Sequence, residues 1–516
     1  MTRLGVTFVA TLCFACDARM QLATRTSDLD EQLTIPSDHD LELEIDDALG
    51  KKHREDLDRA LDAREPGEQL EHAQLSQLAL DRQVFTLDDL FRVGDDLFAY
   101  QFRPEQGLGN GLAGHVGIEA GPGAAPNLRR VQQNAFGGPD AMSCGDCHAV
   151  GGDDGAGTLT QNTYFRGDGD RTLESDVRNA PAVLGLGPIQ ALATEMSSEL
   201  ASGRAAAIVM ATTAGTSVTV PLTAKGLSFG SITALPDGTV DASHVTGVSP
   251  DLVVRPFGWK GHQPTLREMI KESFRVHLGI VSLVDQQAVR DGRVSSSLYG
   301  DGPWYDVDND GANIEVEDGM LSTMVAYLSQ LEIPIVQPPD DPSLLDRFAR
   351  GRAVFDQVQC GTCHVRSLTL VDPIVVTHAE QTENTASPTV AIDVARAGMR
   401  PKIQAIDLIG SAYGVPLFSD LRRHEMGTEL ASPVEQIAGG APIPKTQWLT
   451  RPLWGLADTA PYLHDGRAPT ISDAVRAHGG EAQASRDAFV ALPDDDRSAL
   501  LVYLLSLART HKLVAP

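Results

Sequence analysis

The feature that most constrains this 516-residue chain is a five-residue pattern, Cys-x-x-Cys-His, that occurs twice. The first copy is "CGDCH", from Cys144 to His148, and the second is "CGTCH", from Cys360 to His364. Any fold of this chain must place two thiols and an imidazole side by side at two separate points. The repeated pattern therefore predicts two equivalent binding sites in one molecule.

Three kinds of site use a closely spaced cysteine pair. A zinc ribbon requires a second pair about 15–20 residues away, and the two copies here are much further apart. A thioredoxin-like redox pair requires a strand before it and a helix after it, whereas the glycine-rich "AVGGDDGAG" follows the first copy. The third kind is the attachment site of c-type haem, where both thiols bond to the haem vinyl groups and the histidine binds iron. The pattern thus indicates one covalent haem c at each copy, with His148 and His364 as iron ligands.

The amino terminus, "MTRLGVTFVATLCFAC", predicts export from the cytoplasm. It has one arginine, then an apolar run too short to span a bilayer, then small residues. Because an acidic stretch follows, an export signal over residues 1–16 is favoured over a buried first element. Cys16 partly matches the attachment signal of bacterial lipoproteins. A periplasmic or otherwise extracytoplasmic location is expected, either with or without a lipid tether at Cys16.

Charge and composition limit the partners and divide the chain. The 42 basic and 70 acidic residues give a net charge of −28, which repels phosphate groups and excludes nucleic acid as an expected partner. The acidic residues 17–82 are predicted to form a stalk or linker. The proline-rich "IPIVQPPDDPS" predicts a break between one domain over residues 83–335 and a second over residues 340–516.

Helical periodicity dominates both predicted domains. It occurs in "QPTLREMIKESFRVHLG", "GMLSTMVAYLSQLEI", "LLDRFARGRAVFDQV", "TISDAVRAHGG" and "DDDRSALLVYLLSLA". Residues 205–247 are instead rich in Thr, Val and small residues and contain the turn signal Pro236-Asp237-Gly238, which predicts a small β-insertion. The expected fold class is therefore mainly α, with two helical domains and a β-insertion in the first.

Several longer segments carry a resemblance to a known family. They are "RNAPAVLGLG" (178–187), "RPFGWKGHQPTLRE" (255–268), "GRAVFDQVQCGTCH" (351–364), "RRHEMG" (422–427) and "RPLWGLADTAPYLHDGRAPTISDAVRAHGGEA" (451–482). Over roughly residues 85–510 the chain resembles the bacterial di-haem cytochrome c peroxidase superfamily, and within it the di-haem oxidoreductases. The resemblance implies two cytochrome c-like helical domains that pack together, each with one haem.

The resemblance also implies a second ligand for the C-terminal iron. In the family this ligand lies fourteen residues after the histidine of a Tyr-x-His-x-Gly segment, which places it at His478, after His464. Relatives have Met or Tyr there, so His478 implies an iron with two histidine ligands. Met426 is the alternative ligand, since thioether ligation is common in cytochromes c. His464 is expected to have a structural role or to contact the haem propionates.

The N-terminal haem is expected to keep an open side. "WKGHQPTL" and "HDGRAPTI" align on Gly, Pro and Thr, and this internal repeat places Ser273 where His478 stands in the second half. Serine is a poor iron ligand. His277, one helical turn further on, is the alternative. An open iron binds peroxide or oxygen, whereas a closed one only transfers electrons.

Cleavage of an O–O bond needs a side chain that moves a proton between the two oxygens. In the peroxidases an acid follows a leucine at a fixed distance from a tryptophan. Trp259 and Leu266 keep that spacing, but an arginine fills the position of the acid. The candidate catalytic residues are Arg267, Glu268, His262 and Gln263. Arg267 is therefore a departure from the peroxidase pattern at the position of the acid.

A separate segment, "DVDNDGANIEVE" (306–317), predicts a calcium site. It has acidic residues at positions 1, 3, 5 and 12 and glycine at position 6, as in calcium-binding loops. The predicted ligands are Asp306, Asp308, Asp310 and Glu317. Asn313 stands where an EF-hand has an apolar residue, which argues against a complete EF-hand. An acidic surface turn without a metal is the alternative.

The combined expectation is an exported di-haem oxidoreductase. Electrons would enter at the C-terminal haem from a redox donor protein or a quinol-linked cytochrome, and peroxide or another small oxidant would be reduced at the N-terminal haem. The alternative is a non-enzymatic electron-transfer protein in which both irons have six ligands. A third hypothesis is oxidation of a protein or organic substrate, as in the related methylamine-utilisation enzyme, although that relative has Tyr in place of His478.

Overall fold

The structure is a computed structural model that describes eleven stretches of the chain. These are residues 85–109, 141–158, 163–165, 176–296, 302–308, 310–313, 315–377, 390–432, 435, 437 and 440–509. The export signal predicted for residues 1–16, with Cys16, and the stalk predicted for residues 17–82 lie outside the described residues.

Helices make up most of the regular structure, as predicted. Within the described residues there are nine α-helices: α1 (Leu87–Ala99), α2 (Leu186–Ala214), α3 (Leu266–Ser273), α4 (Leu283–Arg290), α5 (Asp318–Gln330), α6 (Pro342–Gln357), α7 (Ile471–Arg476), α8 (Gln483–Val490) and α9 (Asp494–Leu505). A π-helical turn, Phe274–Leu278, continues α3. In this described part, none of the helices combines the length and hydropathy that crossing a bilayer requires.

The strands are short and pair in small antiparallel sheets. They are β1 (Thr163–Phe165), β2 (Asp176–Arg178), β3 (Val218–Ala224), β4 (Leu227–Ala234), β5 (Val240–Asp241), β6 (Ile335–Val336), β7 (Leu368–Leu370), β8 (Ile374–Val376), β9 (Ala391–Asp393), β10 (Gln404–Ala405), β11 (Tyr413–Val415), β12 (Arg423–Glu425), β13 (Gln447–Leu449) and β14 (Leu507–Ala508). Two sheets have three strands, in the orders β3-β4-β5 and β10-β11-β7, and β1-β2, β12-β13, β14-β6 and β8-β9 form pairs. The sheets are therefore small additions to a mainly helical structure.

The first haem motif is held by a crossing of α1 and α5. A Cβ atom at Gly94 of α1 would overlap with the Cβ atom of Tyr327 in α5, so only glycine allows this approach. The end of α1 then contacts the motif directly, because the carbonyl of Phe98 accepts hydrogen bonds from the backbone N–H of Cys144 (3.1 Å) and Gly145 (3.2 Å). Packing of α1 on α5 thus places the first cysteine pair.

The second haem motif follows a similar crossing of α6 and α9. A Cβ atom at Gly351 of α6 would overlap with the backbone carbonyl of Ala499 in α9. Helix α6 begins at the cap Asp341, whose side chain accepts from the N–H of Ser343, and it leads straight into the motif. Gln359, in the left-handed region with φ 63°, turns the chain just before the cysteines. Each motif is therefore placed by a helix crossing that depends on one glycine.

The β-insertion is confirmed, but its predicted start is corrected. Residues 205–214, predicted to belong to it, form the end of α2, because "AAAIVMATTA" is rich in alanine, the strongest helix former. The strands begin at Val218, and β3 joins β4 through Lys225 and Gly226, both with positive φ, as in a tight hairpin. The predicted turn joins β4 to β5, where Gly238 N–H donates to the carbonyl of Leu235 (2.9 Å).

Two large hydrophobic clusters form the core of the described residues. The larger contains α1, α2, α5 and the β3-β4-β5 sheet, and it also takes in residues such as Leu370 and Val415 from beyond the predicted linker. The other joins α6 and α9 through residues such as Phe355 and Tyr503. Since the larger cluster draws residues from both sides of the linker, the division at residues 335–340 stays a prediction.

Candidate haem sites

The residues of the second motif share one largely apolar cavity of about 370 Å³ with the predicted second ligand. Cys360, Cys363, His364 and His478 all line it. None of the four motif cysteines forms a disulfide among the described residues. The Nδ1 atom of His364 lies 2.9 Å from the carbonyl oxygen of Phe418. A hydrogen bond at Nδ1 leaves the Nε2 lone pair of a neutral imidazole for a metal.

His478, which belongs to a different segment of the chain, is also oriented by a backbone carbonyl. Its Nδ1 atom lies 2.8 Å from the carbonyl oxygen of Ala474 in α7, so its Nε2 atom is also available for a metal. Helix α7 is capped by Thr470 and ends at Arg476, so His478 lies just beyond the helix, although the periodic segment extends past it. The short helix still orients the ring, because the acceptor belongs to its final turn.

The electrostatics of this cavity favour neutral histidines. Burial lowers the pKa of His364 to about 4, and the nearby His478 lowers it further. Burial also lowers the pKa of His478. Neutral imidazole is the form that binds a metal. Two thiols, two neutral imidazoles with committed Nδ1 atoms and apolar walls are a donor set that fits a haem.

The two other predicted candidates line the same cavity. Met426 remains the alternative ligand on this placement alone. The ring of His464 stacks on that of Trp448, with centroids 4.1 Å apart, and its backbone carbonyl accepts from the N–H of Asn179 (2.7 Å). Burial lowers the pKa of His464 to about 3. This placement fits the structural role that was predicted for His464.

At the first motif, His148 is half-buried and held by a backbone carbonyl. Its Nδ1 atom lies 3.2 Å from the carbonyl oxygen of Gly155, and its ring packs near that of Phe98, with centroids 5.8 Å apart. Burial lowers the pKa of His148 to about 4, and nearby His277 adds to this lowering. The predicted ligand His148 is therefore neutral and oriented, as at the second motif.

The charge of His277 acts on His148, so the alternative ligand lies in the electrostatic neighbourhood of the first motif. The hydroxyl of Ser273 donates to the carbonyl of Met269 (2.8 Å) within α3. His277 lies near the end of the π-helical turn, which closes at Gly279 with φ 73°. Insertions of π-helix are frequent at functional sites. His277 thus remains the alternative second ligand for the first haem.

Two of the predicted catalytic residues form a buried charged network. The Nε2 atom of His262 lies 2.6 Å from a carboxylate oxygen of Glu272, and its Nδ1 atom lies 3.0 Å from one of Glu435. Gln263 donates to Glu272 (2.9 Å), and Arg178 pairs with Glu435 (2.8 Å). Burial by itself would lower the pKa of His262, but the two carboxylates raise it to about 10. The imidazole is therefore protonated at neutral pH.

Arg267 and Glu268, the other two candidates, lie at the start of α3. The Arg267 side chain is 4% exposed. It forms an ion pair with Asp318 and donates to the Ser322 hydroxyl (3.0 Å), which ties α3 to α5. The backbone N–H of Glu268 donates to the cap residue Thr265 (3.2 Å). The contacts of Arg267 are those of a residue that joins two helices.

Three of the four tryptophans line the cavity of the second motif. They are Trp259, Trp448 and Trp454. Trp259 Nε1 donates to the carbonyl of Asn179 (2.7 Å), and the buried ammonium of Lys260 lies 3.8 Å from the ring centroid of Trp448. Trp304 is 43% exposed and lies outside this group. The cavity also reaches Ala156, whose carbonyl accepts from Val150 N–H (2.8 Å) just after the first motif.

The predicted calcium loop brings three of its four predicted ligands together. Carboxylate oxygens of Asp306, Asp308 and Asp310 lie within 4.8 Å of one another. Glu317 and Glu315 are both outside this group, and Glu317 occupies the cap position before α5. Glu315, which the spacing pattern did not select, is fully buried, and the charges of all three aspartates act on its carboxyl group. No short-range signal marks Glu315, because its burial depends on Gly107 and Val281.

Comparisons with known proteins place the chain in a family. A family model described as "Di-haem oxidoreductase, putative peroxidase" matches residues 222–507. No curated protein sequence matched the chain. Among solved structures, Kuenenia stuttgartiensis hydrazine synthase pressurized with xenon matches with 17% identity and a TM-score of 0.22, over 37% of this chain and 56% of that one. This chain therefore matches only about half the length of the hydrazine synthase chain.

A second solved structure is a MauG-like protein associated with microbial copper homeostasis. It matches with 14% identity and a TM-score of 0.25, over 54% of this chain and 78% of the other. Both TM-scores are too low to add to the assignment, which rests on the family match. That match covers more than half of the chain and includes the second motif, His478 and the His262 network. The chain belongs to the di-haem oxidoreductase family.

Proposed function

We propose that this chain is an exported c-type di-haem oxidoreductase that receives electrons at the second motif and reduces peroxide or another small oxidant at the first. A haem at each motif would supply one-electron transfer, and an iron with an open axial position would also supply a binding site for the oxidant. For hydrogen peroxide, two electrons and two protons yield two waters. The haems would be covalently attached through Cys144, Cys147, Cys360 and Cys363.

The observation that carries this proposal is the unequal setting of the two motif histidines. At the second motif, His364 and His478 line one cavity, and a backbone carbonyl orients each ring. This arrangement favours a fully ligated iron that only transfers electrons. At the first motif, the nearby His277 lies on a π-helical turn and follows the charged His262 network along the chain. The first motif is therefore the better candidate for the reaction site.

The His262 network is proposed as the proton source. His262 is protonated at neutral pH because Glu272 and Glu435 raise its pKa to about 10. Glu272 belongs to α3, which the π-helical turn continues to His277. The imidazolium can pass a proton to a group near the first haem and regain one through the carboxylates. We therefore assign His262 a proton-supplying role, with Gln263 as its positioning partner through Glu272.

Trp259 is proposed to connect the two haem sites. It lines the cavity of the second motif, and the next residues of its loop lead to His262. Its Nε1–H is held by the Asn179 carbonyl (2.7 Å). The external donor would be a redox protein or a quinol-linked cytochrome. The net charge of −28 favours a donor with a basic surface, because opposite charges speed encounter.

The test is to mix the half-reduced protein with hydrogen peroxide and to follow haem reoxidation. Wild type and His277→Ala are compared with a free haem peptide, and the exposed His244→Ala serves as the matched control. We expect reoxidation faster than that of the peptide in wild type, unchanged in His244→Ala and at least as fast in His277→Ala. If neither wild type nor His277→Ala exceeds the peptide, reduction of peroxide at the first haem is rejected.

A second candidate function is electron transfer without catalysis, and the closeness of His277 to His148 favours it. In that case both irons would have two histidine ligands. Spin-state spectroscopy separates the two functions. An electron-transfer protein would be low-spin in the oxidised and half-reduced states and would become partly high-spin only in His277→Ala. A high-spin signal in half-reduced wild type supports the oxidoreductase.

A further inference from the structure

Four carboxylates converge beside the segment that carries His277. Asp306, Asp308 and Asp310 have oxygens within 4.8 Å of one another, and Asp308 and Glu315 are 1% and 0% exposed. The charges of Asp306, Asp308 and Asp310 all act on the carboxyl group of Glu315. A group of four acids in which two are fully buried is unusual, since burial of unpaired charge is costly.

Several oxygens of this group have nothing to bind among the described residues. Both side-chain oxygens of Asp308, Oδ2 of Asp310 and Oε1 of Glu315 are buried and receive no hydrogen bond in the described part of the chain. The other oxygens of Glu315 and Asp310 accept hydrogen bonds: Oε2 of Glu315 from Val281 N–H (2.7 Å) and Oδ1 of Asp310 from Ala312 N–H (2.7 Å). The oxygens without a hydrogen bond therefore belong to Asp308 and Glu315, the two most buried residues of the group, and to Asp310.

Protonation of these carboxylates would remove their mutual repulsion but not the cost of their unpaired oxygens. Protonated carboxyls would still leave acceptor oxygens unsatisfied in the protein interior. A hard divalent cation satisfies such oxygens and neutralises their charge together.

We propose that Asp306, Asp308, Asp310 and Glu315 bind one calcium ion. Calcium takes six to eight oxygen ligands in flexible geometry, and it accepts carboxylates from a short acidic loop. The fourth carboxylate is that of Glu315 and not that of Glu317, which the spacing pattern selects. This site is separate from the haem motifs and does not depend on the proposed function.

The same contacts connect the calcium site to the first haem. Glu315 binds the backbone N–H of Val281, which follows the π-helical turn of His277, and a Cβ atom at Gly107 would overlap with the Glu315 side chain. The carbonyl of Leu278 accepts from Gly109 N–H (2.8 Å). Calcium bound by Glu315 would thus fix the backbone at Val281, just after the π-helical turn that contains His277. This consequence rests on the proposed first haem site.

The experiment measures calcium binding by the full-length haem-loaded protein after dialysis against a chelator. We expect wild type to bind one calcium ion per chain by isothermal titration and metal analysis, with a rise in melting temperature. Glu315→Gln should weaken binding by at least about tenfold, because one of four charged ligands is lost. The matched control Glu317→Gln should keep the wild-type affinity within about twofold.

The outcomes separate the parts of the proposal. Absence of stoichiometric calcium binding in wild type overturns the site, whether or not any variant folds. Loss of binding in Glu317→Gln with retention in Glu315→Gln overturns the ligand assignment. Equal stabilisation by magnesium overturns the choice of calcium.

The connection to the first haem is tested by the spin-state spectrum. We expect chelation to alter the signal of the first haem and to leave that of the second unchanged. Equal change or no change at both haems overturns the connection. Failure of peroxide reduction would leave calcium stoichiometry unaffected, so the two proposals fail separately.

Discussion

His262 is the residue whose chemistry depends most on its neighbours. Glu272 and Glu435 hold it from both ring nitrogens and raise its pKa to about 10, while their own pKa values fall to about 2. A raised histidine pKa adds stability that is complete below the unfolded value of 6.5 and disappears as the pH rises through 10. Lowered glutamate pKa values add stability above 4.5 that disappears as the pH falls through 2. The network therefore stabilises the protein most between about pH 4.5 and pH 6.5.

His262→Gln should destabilise the protein in a pH-dependent way. We expect a loss of about 3 kcal/mol near pH 6, because the half-buried carboxylate of Glu272 loses its partner His262 and that of Glu435 keeps only Arg178. The loss should shrink between about pH 6.5 and pH 10, where wild type itself loses the proton. Urea unfolding at several pH values measures both, and His244→Gln on the exposed insertion is the control. A loss that does not vary with pH would show that the network is not charged.

At the scale of elements, each haem motif depends on a helix crossing that only glycine allows. Gly94 faces Tyr327 where α1 crosses α5, and Gly351 faces Ala499 where α6 crosses α9. These crossings hold the helices that lead into the two cysteine pairs. Gly203, within α2, differs because a Cβ atom there would meet only Leu222 Cδ2 at 3.4 Å, an ordinary contact.

Gly94→Ala and Gly351→Ala should therefore destabilise the fold, each by about 1–3 kcal/mol, since an added methyl group has no space at either crossing. Gly203→Ala is the matched control, and it should be neutral or stabilise by up to about 1 kcal/mol, because alanine is the better helix former. Urea unfolding monitored by circular dichroism and by Soret absorption measures the difference. Equal effects at all three glycines would contradict the role of the crossings.

At the scale of the whole molecule, one buried arginine near the C-terminus joins distant parts of the chain. Arg509 is 1% exposed and pairs through Nε with the fully buried Glu332 at 2.7 Å. It also donates to the carbonyls of Gly151 (3.0 Å) and Asp153 (2.5 Å), which follow the first motif. The end of the second half thus closes onto the loop after the first haem motif.

Arg509→Met should cost about 3–5 kcal/mol, because it leaves the carboxylate of Glu332 buried without its cation. The double variant Arg509→Met/Glu332→Met should recover much of this loss, since an apolar pair needs no charge compensation. Arg396→Met, which removes an exposed pair with Asp393, should cost less than about 1 kcal/mol. Urea unfolding decides, and a double variant no better than the single one would contradict the argument.

Much of the fold and part of the candidate site could be predicted from local patterns. The helices α5, α6 and α9 coincide closely with their periodic segments, whereas α7 ends at Arg476, before its segment does. The β-insertion was predicted, but the alanine-rich end of α2 was wrongly assigned to it. Boundaries of this kind are decided by how far a helix stays packed on its neighbours, which a local pattern does not contain.

The sequence by itself therefore determined the features that depend only on residues close together in the chain. The two Cys-x-x-Cys-His motifs indicate haem attachment, and caps and periodicity specify helices, because the interacting groups are covalent near neighbours. Only the tertiary structure brought His277 near His148, Glu435 to His262 and the buried Glu315 under the charges of the three aspartates. These contacts join segments that are far apart in the chain or whose direction depends on packing. Which side chains meet is therefore decided by how the segments pack and bury them, and not by residue spacing in the sequence.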